Sequence, residues 1–159
     1  MTVVCNTSPI TNLAAIAQLD LLHQIYGEIV IPQAVYTELV VHPVPGSSEV
    51  QTLEWIVLQS VTNSAQVAQL RQSVDAGEAE AIALALELSA ERLLIDEATG
   101  RAIAQQLGLN ITGVLGVLLI AKQQKRIPTV KTSLDALVQQ AGFRVSPALY
   151  QSVLSMAQE

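Results

Sequence analysis

The sequence predicts an α/β protein in three layers, with a central, mostly parallel sheet of about five strands between two layers of helices. Three observations carry this. Short apolar runs alternate with longer helical patterns along the whole chain, the order that builds parallel sheets. The strand candidates are apolar enough to be covered on both faces. The chain of 159 residues shows no repeat, no low-complexity segment and no linker, so a single domain over residues 1–159 is expected.

The elements follow in order. Residues 2–5 form the first strand candidate, with Ser8 expected as N-cap and Pro9 at the first helical position. "ITNLAAIAQLDLLHQIYG" supports one or two helices, stopped by Gly27. "EIVI" (28–31) is the second strand, and Pro32 opens the helix "PQAVYTELVV". "HPVPGSS" is the clearest break. "WIVLQSV" (55–61) is a strand and "SAQVAQLRQSV" a helix. Asp75 caps the helix "AGEAEAIALALELSA". "RLLI" is a strand ending at Asp96, followed by the helix "EATGRAIAQQLG", the short strand "NIT" and the helix "GVLGVLLIAKQQK". Helices over 129–141 and 147–157 complete the chain, the last with Ser146 as cap and Pro147 at its first position.

Composition excludes several functions. Net charge is −6, which disfavours nucleic-acid binding through a broad basic surface. There are five aromatic residues, too few for a stacking platform along a single strand. Four of the eight basic residues, Lys122, Lys125, Arg126 and Lys131, fall within ten positions. They read as a solvated helix end or as a phosphate-contacting edge. The single cysteine, Cys5, permits no internal disulfide and reads as a small buried apolar residue. No basic segment followed by an apolar run opens the chain, and its longest apolar run is about nine residues. A cytoplasmic location with no membrane contact is therefore expected.

No phosphate-binding G-x-x-x-x-G-K-[ST], no G-x-G-x-x-G after a strand and no G-x-S-x-G elbow is present. His23 and His42 lack zinc-type spacing. What remains is carboxylates in apolar surroundings. Glu38 lies near a helix end and reads either as a surface residue or as a ligand. Glu78 and Glu80 share the first turn of a helix but not a face. Glu80 lines up with Glu87 and Glu91 in a solvent stripe, whereas Glu78 lines up with Ala81, Ile82, Ala85 and Leu88. A carboxylate on an apolar face must be neutralised, hydrogen-bonded or cation-bound, which favours Glu78 as a ligand. Asp96 and Glu97 follow "LLI" and read either as cap and first-turn acid or as ligands. Asn6, Asp96 and Thr112 stand at strand ends, where ligands bind in such sheets. Clustered carboxylates suit Mg2+ or Mn2+, hard ions that prefer oxygen.

The ordered set "VVCNTSPITNLA", "IVIPQAVYTEL", "GEAEAIALALEL", "LLIDEATGRAIA", "GLNITGVLGVLLIAK" and "GFRVSPALYQSVL" resembles the PIN-domain superfamily over nearly the whole chain. Within it, the chain is most similar to a little-characterised prokaryotic subgroup related to VapC-type toxins. The resemblance implies a small nuclease that uses Mg2+ or Mn2+ to cleave RNA with activated water. It also implies a homodimer and an antitoxin protein as partner. By position, it assigns the site acids to Asn6, Glu38, Glu78 and Asp96, with Glu80 as alternate for the third and Glu97 supplementing the fourth. Ser8 and Thr112 fall where such proteins carry small hydroxyl residues, and Lys122, Lys125 and Arg126 are the candidates for RNA contact.

One position departs from the pattern. The superfamily has an aspartate where this chain has Asn6, whose carbonyl oxygen can ligate an ion but brings no charge. Weaker ion binding and reduced cleavage are expected. The competing reading is an inactive PIN-like module that binds RNA or a protein partner. A phosphotransfer or receiver-like domain fits poorly, because Lys122 sits in mid-helix rather than at a strand end.

Overall fold

The computed structural model describes residues 1–159. Five parallel strands form one sheet in the order β3-β2-β1-β4-β5: β1 (Val3–Cys5), β2 (Ile29–Ile31), β3 (Ile56–Leu58), β4 (Arg92–Leu94) and β5 (Ile111–Thr112). Ten helices surround it: α1 (Thr7–Ala15), α2 (Asp20–Tyr26), α3 (Gln33–Val41), α4 (Glu49–Thr52), α5 (Ser64–Leu70), α6 (Ala76–Glu87), α7 (Ala98–Gln106), α8 (Val114–Gln123), α9 (Val130–Gln140) and α10 (Pro147–Met156).

The strands are too short to be stable alone, and the helical layers hold them. Alternate side chains divide between the faces. Val4, Val30, Leu93 and Ile95 meet Ala81, Ile82, Leu84 and Ala85 of α6 and Ala104 of α7. Val3, Cys5, Ile29, Ile31 and Leu94 face the larger core, built from α1, α2, α3, α8, α9 and α10. Alanines let α6 lie close to the sheet. No helix is long and apolar enough to cross a membrane.

The order of strands fixes where chemistry can sit. From β1 the chain winds outward to β2 and β3, then returns to place β4 on the other side of β1. The carboxyl ends of β1 and β4 therefore form the switch point of the sheet, the place where a crevice opens. Cys5 pairs with Leu94, and the Asn6 N–H donates to the Leu94 carbonyl at 2.9 Å.

Several local expectations need correction. Ser8 is not the cap of the first helix: Asn6 is extended and occupies that position, and Thr7 is already helical. Pro9 consequently stands third in the helix, where a missing N–H still costs no intrahelical bond. The strand expected over 55–61 ends at Leu58. Beyond it, the Glu87 carboxylate accepts from the N–H groups of Thr62 and Asn63 and from the Thr62 hydroxyl, which pulls the chain off the sheet edge. The short α4 went unanticipated. Asp75 does cap α6, in a reciprocal box in which Glu78 N–H donates to Asp75 Oδ1 at 2.9 Å and Asp75 N–H to Glu78 Oε2 at 3.2 Å. Ser146 caps α10, and Gly27 closes α2 in a left-handed conformation.

Leu94 is wholly buried between β1 and β5 at the centre of this scaffold. Leu94→Ala is expected to cost about 2–5 kcal/mol, read as a lower midpoint in urea unfolding with an unchanged slope.

Candidate functional site

Four elements bring polar side chains to the switch point. Asn6 leaves β1 with only 3% of its surface exposed. Its Oδ1 is buried and accepts no hydrogen bond. Asp96 follows β4, and its Oδ1 accepts the Val114 N–H of α8 at 2.8 Å. Its Oδ2 is buried and unpartnered. Glu78 enters from the first turn of α6, 7% exposed, with Oε1 turned toward Gly100 of α7. Glu38 comes from the end of α3, and its Oε2 accepts from the Thr7 hydroxyl at 2.6 Å.

Glycine leaves room for these acids at two places. A Cβ at Gly77 would lie 2.5 Å from Glu38 Oε1, so the Glu38 carboxylate rests against bare backbone. A Cβ at Gly113 would lie 2.8 Å from both Asp96 Oδ1 and Arg101 Nη1. Both glycines have ordinary backbone angles there, so space and not conformation is what they provide.

Burial dominates the electrostatics. It pushes the Glu78 carboxyl above the usual carboxylate range, and the negative charges of Asp75, Glu97 and Glu38 add to that, against the Asp75 N–H bond. Burial raises Asp96 as well, opposed by the Val114 N–H and the Arg101 guanidinium and assisted by Glu97. The Asn12 amide faces Asp96 and gives it weak support, short of a formed hydrogen bond to Oδ2. Helix N-termini of α1, α6, α7 and α8 meet at this edge and partly offset the negative charge.

The remaining candidates are placed differently. Glu80 is half-buried, and its carboxylate accepts the Ala34 N–H at 3.1 Å, so it caps α3 instead of lining a solvent stripe. Glu97 is exposed at the N-cap of α7 without capping it through its side chain. Asp96 serves no cap of α7 either; it binds α8. Ser8 lies on the first turn of α1 and lines the same cavity as Asp96. The Thr112 hydroxyl is taken by Arg92, 2.6 Å away. Lys122 donates to the Ala157 carbonyl and to Glu159, and Arg126 Nε to Gln124. Lys122, Lys125 and Arg126 gather where α8 ends, about 15 Å along the helix from the acids at its start.

Thr7, Asn12 and Arg101 were not anticipated. Each touches a site acid from a distant part of the chain or from a helix face that carried no pattern. Only "NTS" for Thr7, "TNL" for Asn12 and "GRA" for Arg101 mark them in sequence.

No three His, Cys, Asp or Glu side chains lie close enough together to hold a metal ion by themselves. The donor chemistry still suits one. Mg2+ is commonly bound through one or two carboxylates with water completing the shell, so a carboxylate pair with the Asn6 carbonyl oxygen is an adequate set. The two unpartnered oxygens, Asn6 Oδ1 and Asp96 Oδ2, are acceptors that a hard cation would satisfy.

An acid-bearing crevice at the switch point of a parallel sheet defines the class: an α/β protein whose polar site is built on strand ends. A family model described as "PIN domain" matches residues 2–159, and the chain belongs to that nuclease-type family. No curated protein and no solved structure matches the chain.

Raised acids carry a definite sign. Their folded pKa exceeds the unfolded value, so they destabilise the metal-free fold above that range, and the cost is relieved as pH falls through the raised values. Melting temperature of the metal-free protein should rise as pH drops toward the carboxylate range. Glu78→Gln keeps the box geometry, flattens that rise, and should raise the melting temperature at neutral pH. Calorimetry in a chelator checks both. The lowered acids, Glu87 held by Thr62 and Asp135 held by Lys131, lose stability only at still lower pH.

Proposed function

We propose that the protein is a metal-dependent endoribonuclease that hydrolyses RNA phosphodiester bonds, with Mg2+ or Mn2+ as the ion. The observation that carries this is the pair of buried, unpartnered oxygens on Asn6 and Asp96, with Glu78, whose carboxylate burial disfavours, linked to Asp96 through Glu97, whose charge acts on both. Membership of the PIN-domain family supports it, since PIN domains generally depend on a divalent metal.

The residues divide the work. Asp96 and Asn6 would hold the ion from adjacent strand ends, with Glu78 closing from α6 and Glu97 within electrostatic reach of both acids. Glu38, oriented by the Thr7 hydroxyl, is the free carboxylate best placed to accept a proton from the attacking water. Such an ion supplies activation of water and stabilisation of charge on the phosphodiester. Arg101, beside Asp96, would steady a phosphate oxygen. Glu80 stays with the cap of α3. The tethered Thr112, and the basic group Lys122, Lys125 and Arg126, would act on RNA only beyond the reacting bond. The toxin role, the antitoxin and the homodimer belong to this same reading, by family.

Asn6 favours a second reading, an inactive module that binds RNA or a protein. It brings no charge to a buried position at the end of β1, so an ion would rely on Asp96 and Glu78 for its negative ligands. The two readings separate in one experiment. Purified protein is mixed with labelled single-stranded RNA and Mn2+, beside Glu78→Ala, Asp96→Ala and Asn6→Asp. Cleavage lost in the first two and stronger in Asn6→Asp is expected. No cleavage by wild type, with activity appearing in Asn6→Asp, establishes the inactive module. Equal Mn2+ affinity of wild type and Asn6→Asp by calorimetric titration would show that the missing charge is unimportant.

Gly77→Ala gives an independent check on Glu38. The clash falls on the mobile end of a side chain, so stability should change little while the Glu38 carboxylate is displaced. Cleavage should drop by about a hundredfold or more, the loss expected for a general base. Retained activity in both Gly77→Ala and Glu38→Gln removes Glu38 from the mechanism.

A further inference from the structure

A cavity of about 840 Å³ opens beside Asp96 and Glu97 and runs away from the acids between α7, α8 and α10. Its size falls within the ~300–1,000 Å³ typical of small-molecule sites. Besides Asp96 and Glu97 themselves and the polar Ser8, Asn12 and Thr112, its lining has an apolar part and a basic part. Leu115, Leu119 and Val153 give an apolar floor, and Phe143 contributes the only aromatic ring. Arg101 and Arg144 give two positive charges that offset Asp96 and Glu97 in the same lining, the acids standing where an ion would sit and Arg144 on the far side beside Phe143.

Arg101 is half-buried, yet its guanidinium makes one hydrogen bond, from Nη1 to the Ile95 carbonyl at 2.9 Å. It flanks Gly113 together with Asp96 but forms no ion pair with it. A guanidinium carries five N–H donors, so most of Arg101's remain for a ligand. Arg144 is exposed and bonded to nothing, directly after Phe143. A flat apolar surface with one aromatic ring and two unspent arginines matches a base joined to its phosphate. One ring can stack a single splayed base without the platform that longer strands need.

We propose that this cavity is a subsite for one unpaired nucleotide next to the cleaved bond, its base packed on Phe143 and its phosphate held by Arg101 and Arg144. The assignment rests on the ribonuclease reading for the identity of the strand. It makes Phe143 and Arg144 determinants of which RNA is taken, and Arg101 the positioning residue between subsite and acids.

The test uses a fluorescein-labelled, mixed-sequence single-stranded oligoribonucleotide, bound in a chelator so that no cleavage intervenes. Phe143→Leu keeps the apolar packing and should weaken binding about tenfold, the scale of one lost base stack. Arg144→Ala should weaken it similarly and lower the slope of log affinity against log salt by about 0.7, one phosphate contact on a single strand. With Mn2+, Phe143→Leu and Arg144→Ala should raise KM with kcat kept, whereas Arg101→Gln should affect both. Wild-type binding and KM in all three variants overturn the subsite, as does loss of binding in Lys125→Ala/Arg126→Ala alone. Failure of wild type to bind the oligoribonucleotide overturns it too and points to a protein segment in the groove. The two proposals fail separately. Binding through the cavity without Mn2+-dependent cleavage removes the nuclease and leaves the subsite. Cleavage that needs Glu78 and Asp96 but not the cavity does the reverse.

Discussion

Adjacent pairing of β1 and β4 is the constraint on which the site depends. These strands are about ninety residues apart in sequence, and neither holds an acid within its own span. Their register, closed by the Asn6 N–H on the Leu94 carbonyl, sets Asn6 opposite Ile95 and so brings Asp96, one residue further on, to the same sheet edge. Glu78, Glu97, Thr7 and Arg101 arrive there because helices in this topology run back against the strands and present their N-termini at that edge, whereas Glu38 comes from the far end of α3. A slip of one residue in either strand would turn that strand's site residue to the opposite face and separate Asn6 from Asp96.

That arrangement has an electrostatic cost that the fold only partly meets. Four helix N-termini, the Val114 N–H and the Arg101 guanidinium favour negative charge at the edge. Against them stand Glu38, Glu78, Asp96 and Glu97, two of them with burial enough to raise their pKa. Stability alone would not select this crowding, since apolar residues of similar shape would pack without it. Strain of that kind is expected at a site that works by binding something positive. Replacing one acid by an amide, as at Asn6, relieves part of it.

Elements with local signals were legible in the sequence. "DAGE" announced the α6 cap, because both halves of the box lie within four residues. The helical spacing that separated Glu78 from Glu80 also reflects where they stand, one buried and one half-buried. What could not be read were bonds that exist only after the sheet order is set. Asp96 to Val114 spans 18 residues and Thr7 to Glu38 spans 31, and no periodicity encodes either. Ser8 misled because "TSP" satisfies cap rules, while the chain leaves β1 so abruptly that Asn6 takes the position. Of the acid stripe, Glu87 and Glu91 are exposed as expected, but Glu80 misled for a related reason: its side chain reaches sideways to bond the backbone of α3.

Gly77 and Gly113 carry no functional group, yet each is a wall of the crevice. The outline of the site is therefore written partly in hydrogen atoms of the main chain. A search for acids alone would miss these positions, and a saturation scan would flag them as if they were reactive. Their intolerance would report a shape, namely the volume reserved for Glu38 in one case and for Asp96 with Arg101 in the other. Relatives that enlarge either position would need shorter or relocated acids, so the two glycines and the acids are free to change only together.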